Sequence, residues 1–430
     1  FSAESALDES LPGKETARLI NMFPEKGGSR GPVTIRSTPG LQDVASLGVG
    51  RVRAMISASD GIYAVVGGLF VRWNDDGVSV LGNVPTGVAT MARNTTQISV
   101  VAGSRYFVWD GETFSQVAGQ SFTQIGSVAH LNGFTLLTQE DGDALAWSSP
   151  SDAKAFDALD FASAESSPDK LRRVIVNGNL VWLMGADSVE PWQNSGGVDA
   201  PFQPIPSTRL EKGLRSTAEV VQLDNTFMWI SPEGRAYRQE EFRPVNISTD
   251  AVSAALNASS DVTCFAYQFN NHDFLCMRFG DRPAWIYDPS TGALHERSTG
   301  PTHEAWEVTA TVQHNGKWYA GTQNGALCTF GGYQDRGQVM RREATSGLLV
   351  NGGERFTPSK VDVRTEGAGE LMMRISRDSR VFGRERIKPF GAKYGDRCTF
   401  RALGQAREFS MQLACTENTE FAIHSTEVTV

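Results

Sequence analysis

Six histidines and five cysteines are the side chains best suited to metal or nucleophilic chemistry, and their spacing supports neither. His130, His272, His295, His303, His314 and His424 form no His-Glu-x-x-His run and no two-His-one-carboxylate set. Cys264, Cys276, Cys328, Cys398 and Cys415 are odd in number and lie far apart, with no Cys-x-x-Cys pair. They read as buried thiols of a reducing compartment. Gly13-Lys14-Glu15-Thr16 carries a Gly-Lys pair without phosphate-loop spacing, and no Gly-x-Ser-x-Gly elbow occurs. Asp75-Asp76 and Asp141-Gly142-Asp143 could pair as catalytic carboxylates or bind calcium, but both fall between candidate strands, where turn chemistry accounts for them. The expectation is therefore no catalytic residue, no cofactor-binding residue and no metal ligand.

A second constellation is basic. Arg374, Arg377, Arg380, Arg384, Arg386, Lys388, Lys393, Arg397, Arg401 and Arg407 make the densest cationic stretch, offset locally by Asp378, Glu385 and Asp396. It reads as a solvated face, with a docking surface for an acidic partner as the alternative.

The elements that would carry these side chains repeat. Seven segments share a short strand, a tight turn, an apolar strand, and a strand ending in an aromatic. The turns are Asp60-Gly61, Asn94-Thr95, Asn132-Gly133, Asn177-Gly178, Asp224-Asn225, Asn270-Asn271 and Asn315-Gly316. Asn, Asp and Gly tolerate positive φ, so these read as hairpin turns. The apolar runs begin at Ile62, Ile98, Phe134, Leu180, Phe227, Phe274 and Trp318, spaced 36 to 47 residues apart. Trp73, Trp109, Trp147, Trp192, Tyr237, Trp285 and Phe330 recur near the third-strand ends and read as packing between neighbouring units. Four-strand units of this period predict an all-β protein built on a β-propeller of about seven units, with six blades left open by the short early spacing. The seventh unit lacks a fourth strand of its own, and Val33–Ser37 is expected to supply it and close the ring.

After about Gln334 the period is lost. Candidate strands Lys360–Arg364, Leu371–Ser376, Cys398–Ala402, Phe409–Cys415 and Phe421–His424 predict a separate β-sandwich. The expected division is an N-terminal arm at 1–32, a propeller at 33–333 and a docking or oligomerisation sandwich at 334–430. Leu19, Ile20, Met22 and Phe23 give the arm an apolar face, expected to pack within the chain or the assembled ring.

Composition narrows the partners. Of 430 residues, 43 are Gly, suiting many turns. The net charge of -9 comprises +3 over residues 334–430 and -12 over the rest. An open phosphate-gripping surface needs clustered Lys and Arg, which this balance disfavours. No run approaches the ~20 apolar residues of a membrane span, and Phe1–Leu11 lacks the basic-then-apolar order of a secretory leader.

Glu15-Thr16-Ala17-Arg18-Leu19-Ile20-Asn21-Met22-Phe23-Pro24-Glu25, followed by Ser37-Thr38-Pro39-Gly40-Leu41, resembles the opening of tail-nozzle, or packaged-DNA stabilisation, proteins of short-tailed bacteriophages (podoviruses). Val220–Ile230 with Gly234–Arg238 resembles a mid-propeller block of that family. Leu371–Arg386 is similar to its sandwich, although Arg377-Asp378-Ser379-Arg380 replaces an Asp-Gly-Gly-like turn. The resemblance implies a structural virion protein of the tail, assembled in the host cytoplasm as a homo-hexameric ring. Such a ring extends the DNA channel below the portal and adaptor, contacts a tail needle or tailspike and fibre proteins, retains packaged DNA and allows its ejection. Double-stranded genomic DNA would pass without sequence-specific binding, and no membrane embedding is expected. Two other classes compete: a propeller that binds or cleaves glycans in its central pocket, and a kelch-like interaction module suggested by Phe70–Trp73 and Ile286–Pro289.

Overall fold

A computed structural model describes residues 5, 17–28, 31–118, 121–163, 169–197, 200–223, 225–378, 381–391 and 393–430. Gly13–Thr16, Ser29 and Arg30 of the expected linker, Asp224 of the fifth turn, and Ser379 and Arg380 lie outside the described residues.

Seven antiparallel sheets form the propeller blades. The first six take consecutive strands: 52–83, 89–116, 125–163, 171–204, 220–246 and 262–297. The seventh uses Val308–His314, Lys317–Thr322 and Ala326–Phe330, and is completed by Leu41–Ser46 from the other end of the chain. The period-2 alternation and dense apolar second strands explain the packing: Gly61–Val66 and Ile98–Ala102 are buried along their whole length. Three of the expected turns show both central residues at positive φ: Asn132-Gly133, Asn270-Asn271 and Asn315-Gly316. That is the type I′ geometry whose twist matches the flanking strands. Asn94-Thr95 departs from expectation. Its loop is longer, with Asn94 Oδ1 accepting from the backbone N–H groups of Thr96 and Gln97 at 2.9 and 2.7 Å.

Aromatics tie neighbouring blades together. Trp73 of blade one lies 5.4 Å from Tyr319 of blade seven, and Trp182 of blade four lies 4.9 Å from Phe227 of blade five. Such pairs add about 0.5–1.5 kcal/mol beyond burial. A second inter-blade device was not legible. The inner strands of blades one, four and seven slip register near their starts, at Val52/Ala54, Leu171/Arg173 and Val308/Ala310. A bulge turns one extra side chain out of the ladder. Arg53 Nη1 donates to the carbonyls of Gly67 and Pro85, both at 2.7 Å. Arg172 Nη1 donates to those of Leu214 and Arg215, and Thr309 Oγ1 to that of Val52. Each bulge thus satisfies backbone acceptors of connections leading to, or strands of, the adjoining blade.

The two chain ends require a correction. The ring closes with an N-terminal strand, but Val33–Ser37 is not that strand. Gly31–Ser37 pairs with Met22–Gly28 on one side and with Phe421–Thr429 on the other, inside the C-terminal sandwich. Closure falls to Leu41–Ser46 because the Thr38-Pro39-Gly40 turn crosses from one layer to the other first. Residues before 32 are correspondingly not an arm apart. Arg18–Ile20, Met22–Gly28 and Gly31–Ser37 are strands of the sandwich. One of its sheets runs Arg18–Ile20, Arg342–Thr345, Glu408–Cys415, Gly369–Ser376, Arg386–Phe390; the other runs Met22–Gly28, Gly31–Ser37, Phe421–Thr429, Lys360–Gly367, Arg397–Arg401. Leu19, Met22 and Ile35 share one buried core with Val361, Leu371, Phe409 and Phe421. Phe23 points the other way, into the core shared by blades six and seven.

Arg18–Ile20 also pairs in parallel with blade six, Ile20 opposite Glu296. One hydrogen-bonded sheet of ten strands therefore runs from the propeller into the sandwich. Its far edge, Arg386–Phe390, contains Lys388 and Pro389, residues that discourage edge-to-edge pairing.

Candidate functional site

The conspicuous N-terminal motif lies where the two layers meet. Arg18 grips Glu296 with Nε at 2.9 Å and Nη2 at 2.7 Å, and Ser5 Oγ donates to the same carboxylate at 3.1 Å. Asn21 sits at φ 54, a conformation asparagine tolerates, and is fully buried. Its Nδ2 donates to Ser298 Oγ at 3.0 Å and to the Arg341 carbonyl at 2.8 Å, and its Oδ1 accepts from Ser298 N at 3.0 Å. Its carbonyl accepts from Thr38 N and Thr38 Oγ1. Phe23 packs edge-on to His272 and Phe274 at 5.0 and 5.4 Å. A stretch that reads as a family signature is thus a knot joining blade six, the closing turn and the sandwich.

Ser290, His272 and Asp288 come together beside this knot, and their geometry is not that of a nucleophilic triad. Asp288 Oδ2 and Ser290 Oγ both meet the same ring nitrogen, His272 Nδ1, at 2.8 and 3.1 Å. A triad needs the base to use opposite nitrogens for nucleophile and acid. Asp288 instead caps a turn, accepting from Ser290 N at 2.9 Å and from Thr291 Oγ1 at 2.8 Å. The hydrogen bond that His272 donates to the Asp288 carboxylate raises the His272 pKa against the opposing effect of burial.

His295 is nearby and contrasts with it. It is completely buried, neither ring nitrogen has a hydrogen-bond partner, and burial pushes its pKa down to about 3. Asp288 partly offsets that; Arg297 and His272 add to it. The folded pKa is depressed, so the associated stability is present above the unfolded value of about 6.5 and is lost as pH falls toward 3. His272 has the opposite sign: its contribution is present at low pH and is lost as pH rises through its raised value. At pH 5 the loss at His295 amounts to about 2 kcal/mol. Replacing His295 with Phe should flatten the decline in melting temperature between pH 7 and pH 5; an unchanged profile would refute the assignment.

The remaining histidines have ordinary partners or settings. His303 Nε2 meets Glu343 at 3.4 Å, His314 Nδ1 meets Ser57 Oγ at 2.9 Å, and His424 Nε2 meets Glu366 at 3.1 Å. His130 is half-buried in blade three, where desolvation lowers its pKa. All five cysteines are free and buried. Asp76 N donates to Asn74 Oδ1 at 3.1 Å in a side-chain-capped turn, and Asp141 lies 3.6 Å from Lys170. Among the described residues no three His, Cys, Asp or Glu side chains gather in a metal-binding arrangement.

The basic stretch is partly structural. Arg386 donates to the Arg401 and Ala402 carbonyls at 2.8 and 3.0 Å, Lys388 to that of Thr399 at 2.5 Å, and Arg377 to that of Leu403 at 3.1 Å. These bonds staple the edge strands of the two sandwich sheets to one another.

Two buried arginines carried no sequence signal beyond their position in otherwise apolar or alternating strands. Arg297 in blade six donates to the Pro39 carbonyl at 2.9 Å, and its guanidinium carbon lies 4.7 Å from the centre of the Trp306 ring. Arg342 bonds the Ser37 hydroxyl at 3.1 Å and the Thr419 carbonyl at 2.6 Å, and also the Glu417 carbonyl.

Along the axis of the propeller runs a cavity of about 310 Å³, lined by inner-strand residues that include Arg53, Thr90 and Arg173. Among the described residues no Asp or Glu lines it.

Seven closed blades and a sandwich woven from both chain ends define a β-propeller joined to a β-sandwich. A family model described as bacteriophage P22 Gp10, beta-propeller, matches residues 15–330, and the chain belongs to that phage stabilisation family. The match ends on the last strand of blade seven. No curated protein sequence matches significantly. Among solved structures, the chain is similar to the WD40 β-propeller domain of Doa1 (15% identity, TM-score 0.47, covering 68% of this chain and 97% of that one). It is also similar to the RRP9 WD40 repeats (8%, 0.47, 69% and 99%) and to the computationally designed Ika8 protein (13%, 0.44, 67% and 99%).

Proposed function

We propose that the chain is a tail-nozzle subunit, forming a six-fold ring that extends the DNA channel below the portal and adaptor, retains the packaged genome and releases it on ejection. The observation that carries this reading is the family match over the N-terminal motif and the whole propeller. The joinery supports it. A ring under pressure from confined DNA needs subunits that do not shear, and a ten-strand sheet crossing from blade six to the sandwich resists shear through backbone hydrogen bonds. The 310 Å³ cavity cannot admit a duplex whose major groove alone is about 12 Å wide. DNA would therefore run along the axis of the ring, past propeller surfaces that belong to the acidic part of the chain. Acidic walls would not grip phosphates, so transit would not stall. The sandwich, whose residues 334–430 carry a net +3, would meet the neighbouring tail proteins.

Quantitative mass spectrometry of purified particles should count six copies per virion, and particles assembled without the chain should lose their DNA during purification. Another copy number, or full heads that survive without it, would overturn the reading.

A further inference from the structure

Arg297 and Asp335 carry opposite charges, are completely buried, and enter one core without bonding to each other. Strand pairing sets their placement. Asp335 stands directly opposite Leu41 of the closing strand, in a short strand that extends the sheet of blade seven. Phe330 stands opposite Leu41 on the other side. Directly paired residues project from the same face of a sheet, so all three side chains point one way. Leu41 and Phe330 belong to the apolar core shared by blades six and seven, and Asp335 follows them into it. Arg297 enters that core from blade six. It pairs with Ala284, a residue of the core, and its guanidinium lies over Trp306, another. Its Nη2 donates at 2.9 Å to the carbonyl of Pro39, two residues before Leu41. The two charges therefore converge on the closing turn from facing sheets.

Neither finds the partner that a buried charge requires. Neither oxygen of the Asp335 carboxylate completes a hydrogen bond, and Arg297 Nε and Nη1 have no acceptor. Trp306 Nε1 and Tyr267 OH, completely buried in the same core, have no partner either. Tyr267 stacks on Phe330 at 4.3 Å and lies 6.0 Å from Trp306, which keeps these groups together. Unpaired ions in such a core are costly. Burial raises the Asp335 carboxyl to about 6; Arg297 and the Gly300 N–H oppose that shift, and Glu307 adds to it.

The orphaned groups select their ligand. A halide would be repelled by Asp335, and a metal ion by Arg297. Water both donates and accepts, and an internal water takes about two to four polar partners. We propose that this core holds internal water that bridges Arg297 to Asp335, forming a hydrated ion pair that locks the closing turn between blades six and seven. The proposal does not depend on the nozzle reading.

A high-resolution crystal structure of the full chain at neutral pH should show ordered water within hydrogen-bond distance of both side chains. Direct contact between them, an ion in that place, or an empty gap would overturn the proposal. Urea midpoints test the coupling. Arg297→Met and Asp335→Leu should each lower the midpoint, and the double variant should lose less than the two losses combined, because its second change removes a charge already orphaned. Strictly additive losses would count equally against the bridge. If the variants do not fold, the wild-type crystal decides.

Discussion

Gly40→Ala is expected to open the ring. A Cβ on Gly40 would overlap the backbone carbonyl and nitrogen of Gln334. The φ of Gly40 is not in the left-handed region, so the objection is space and not strain. The neighbour is main chain and cannot rotate aside. Gly40 N donates to the Gly332 carbonyl at 2.8 Å, and Gly331 N donates to the Gly40 carbonyl at 3.0 Å. Those bonds set the register of Leu41–Ser46 on Ala326–Phe330, the pairing that completes blade seven. Displacing the turn also disturbs the Arg297 bond to Pro39. The cost should be about 3 kcal/mol or more, in the tail of single substitutions. Urea midpoints and the rate of proteolysis within 38–46 would measure it. Gly68→Ala serves as a control, since its Cβ would meet only ordinary contact with Val84. Equal midpoints for the two variants would defeat the closure argument.

Arg342→Met should cost a similar amount, roughly 3–5 kcal/mol, by a different route. Arg342 is completely buried, and burial lowers its pKa. Its charge is held by main-chain carbonyls, the Ser37 hydroxyl and the rings of Tyr333 and Phe421, whose centres lie 5.3 and 5.9 Å away. Methionine keeps much of the volume and leaves the Thr419 and Glu417 carbonyls without a donor. Arg342→Lys should not rescue, because one ammonium cannot span acceptors that a five-donor fork reaches. If the lysine variant unfolds at the wild-type denaturant concentration, the carbonyl-clamp account is wrong.

The two substitutions mark where the sequence was legible and where it was not. Blade period, turn positions and inter-blade aromatics follow from local rules, because each hairpin is satisfied by residues a few positions away. Leu371–Ser376 and Phe409–Cys415 were legible for the same reason, through their alternation. The role of Arg18–Ile20 was not. Three residues carry no period, and their partners are 276 or more positions distant in Glu296 and Glu343–Thr345. The closing strand was placed one turn too early because Val33–Ser37 has the stronger β pattern, while Leu41–Ser46 exposes much of its length. Pattern reports burial, and the fourth strand of a blade has little of it. The bulge arginines, Arg53 and Arg172, were hidden because a bulge shifts a side chain without changing the apolar rhythm around it.

The continuity of the sheet across both ends also fixes an order in time. Arg18–Ile20 waits for Arg342–Thr345, and Gly31–Ser37 waits for Phe421–Thr429. At about 5–20 residues per second, a ribosome leaves the first strands without their partners for tens of seconds. The blades between them can form as they emerge. The sandwich can be finished only by a chain that has been translated almost to Val430. A truncated product would therefore keep a propeller and lack the joint. In the proposed nozzle that would be a built-in inspection: only a copy carrying Phe421–Thr429 presents the finished face.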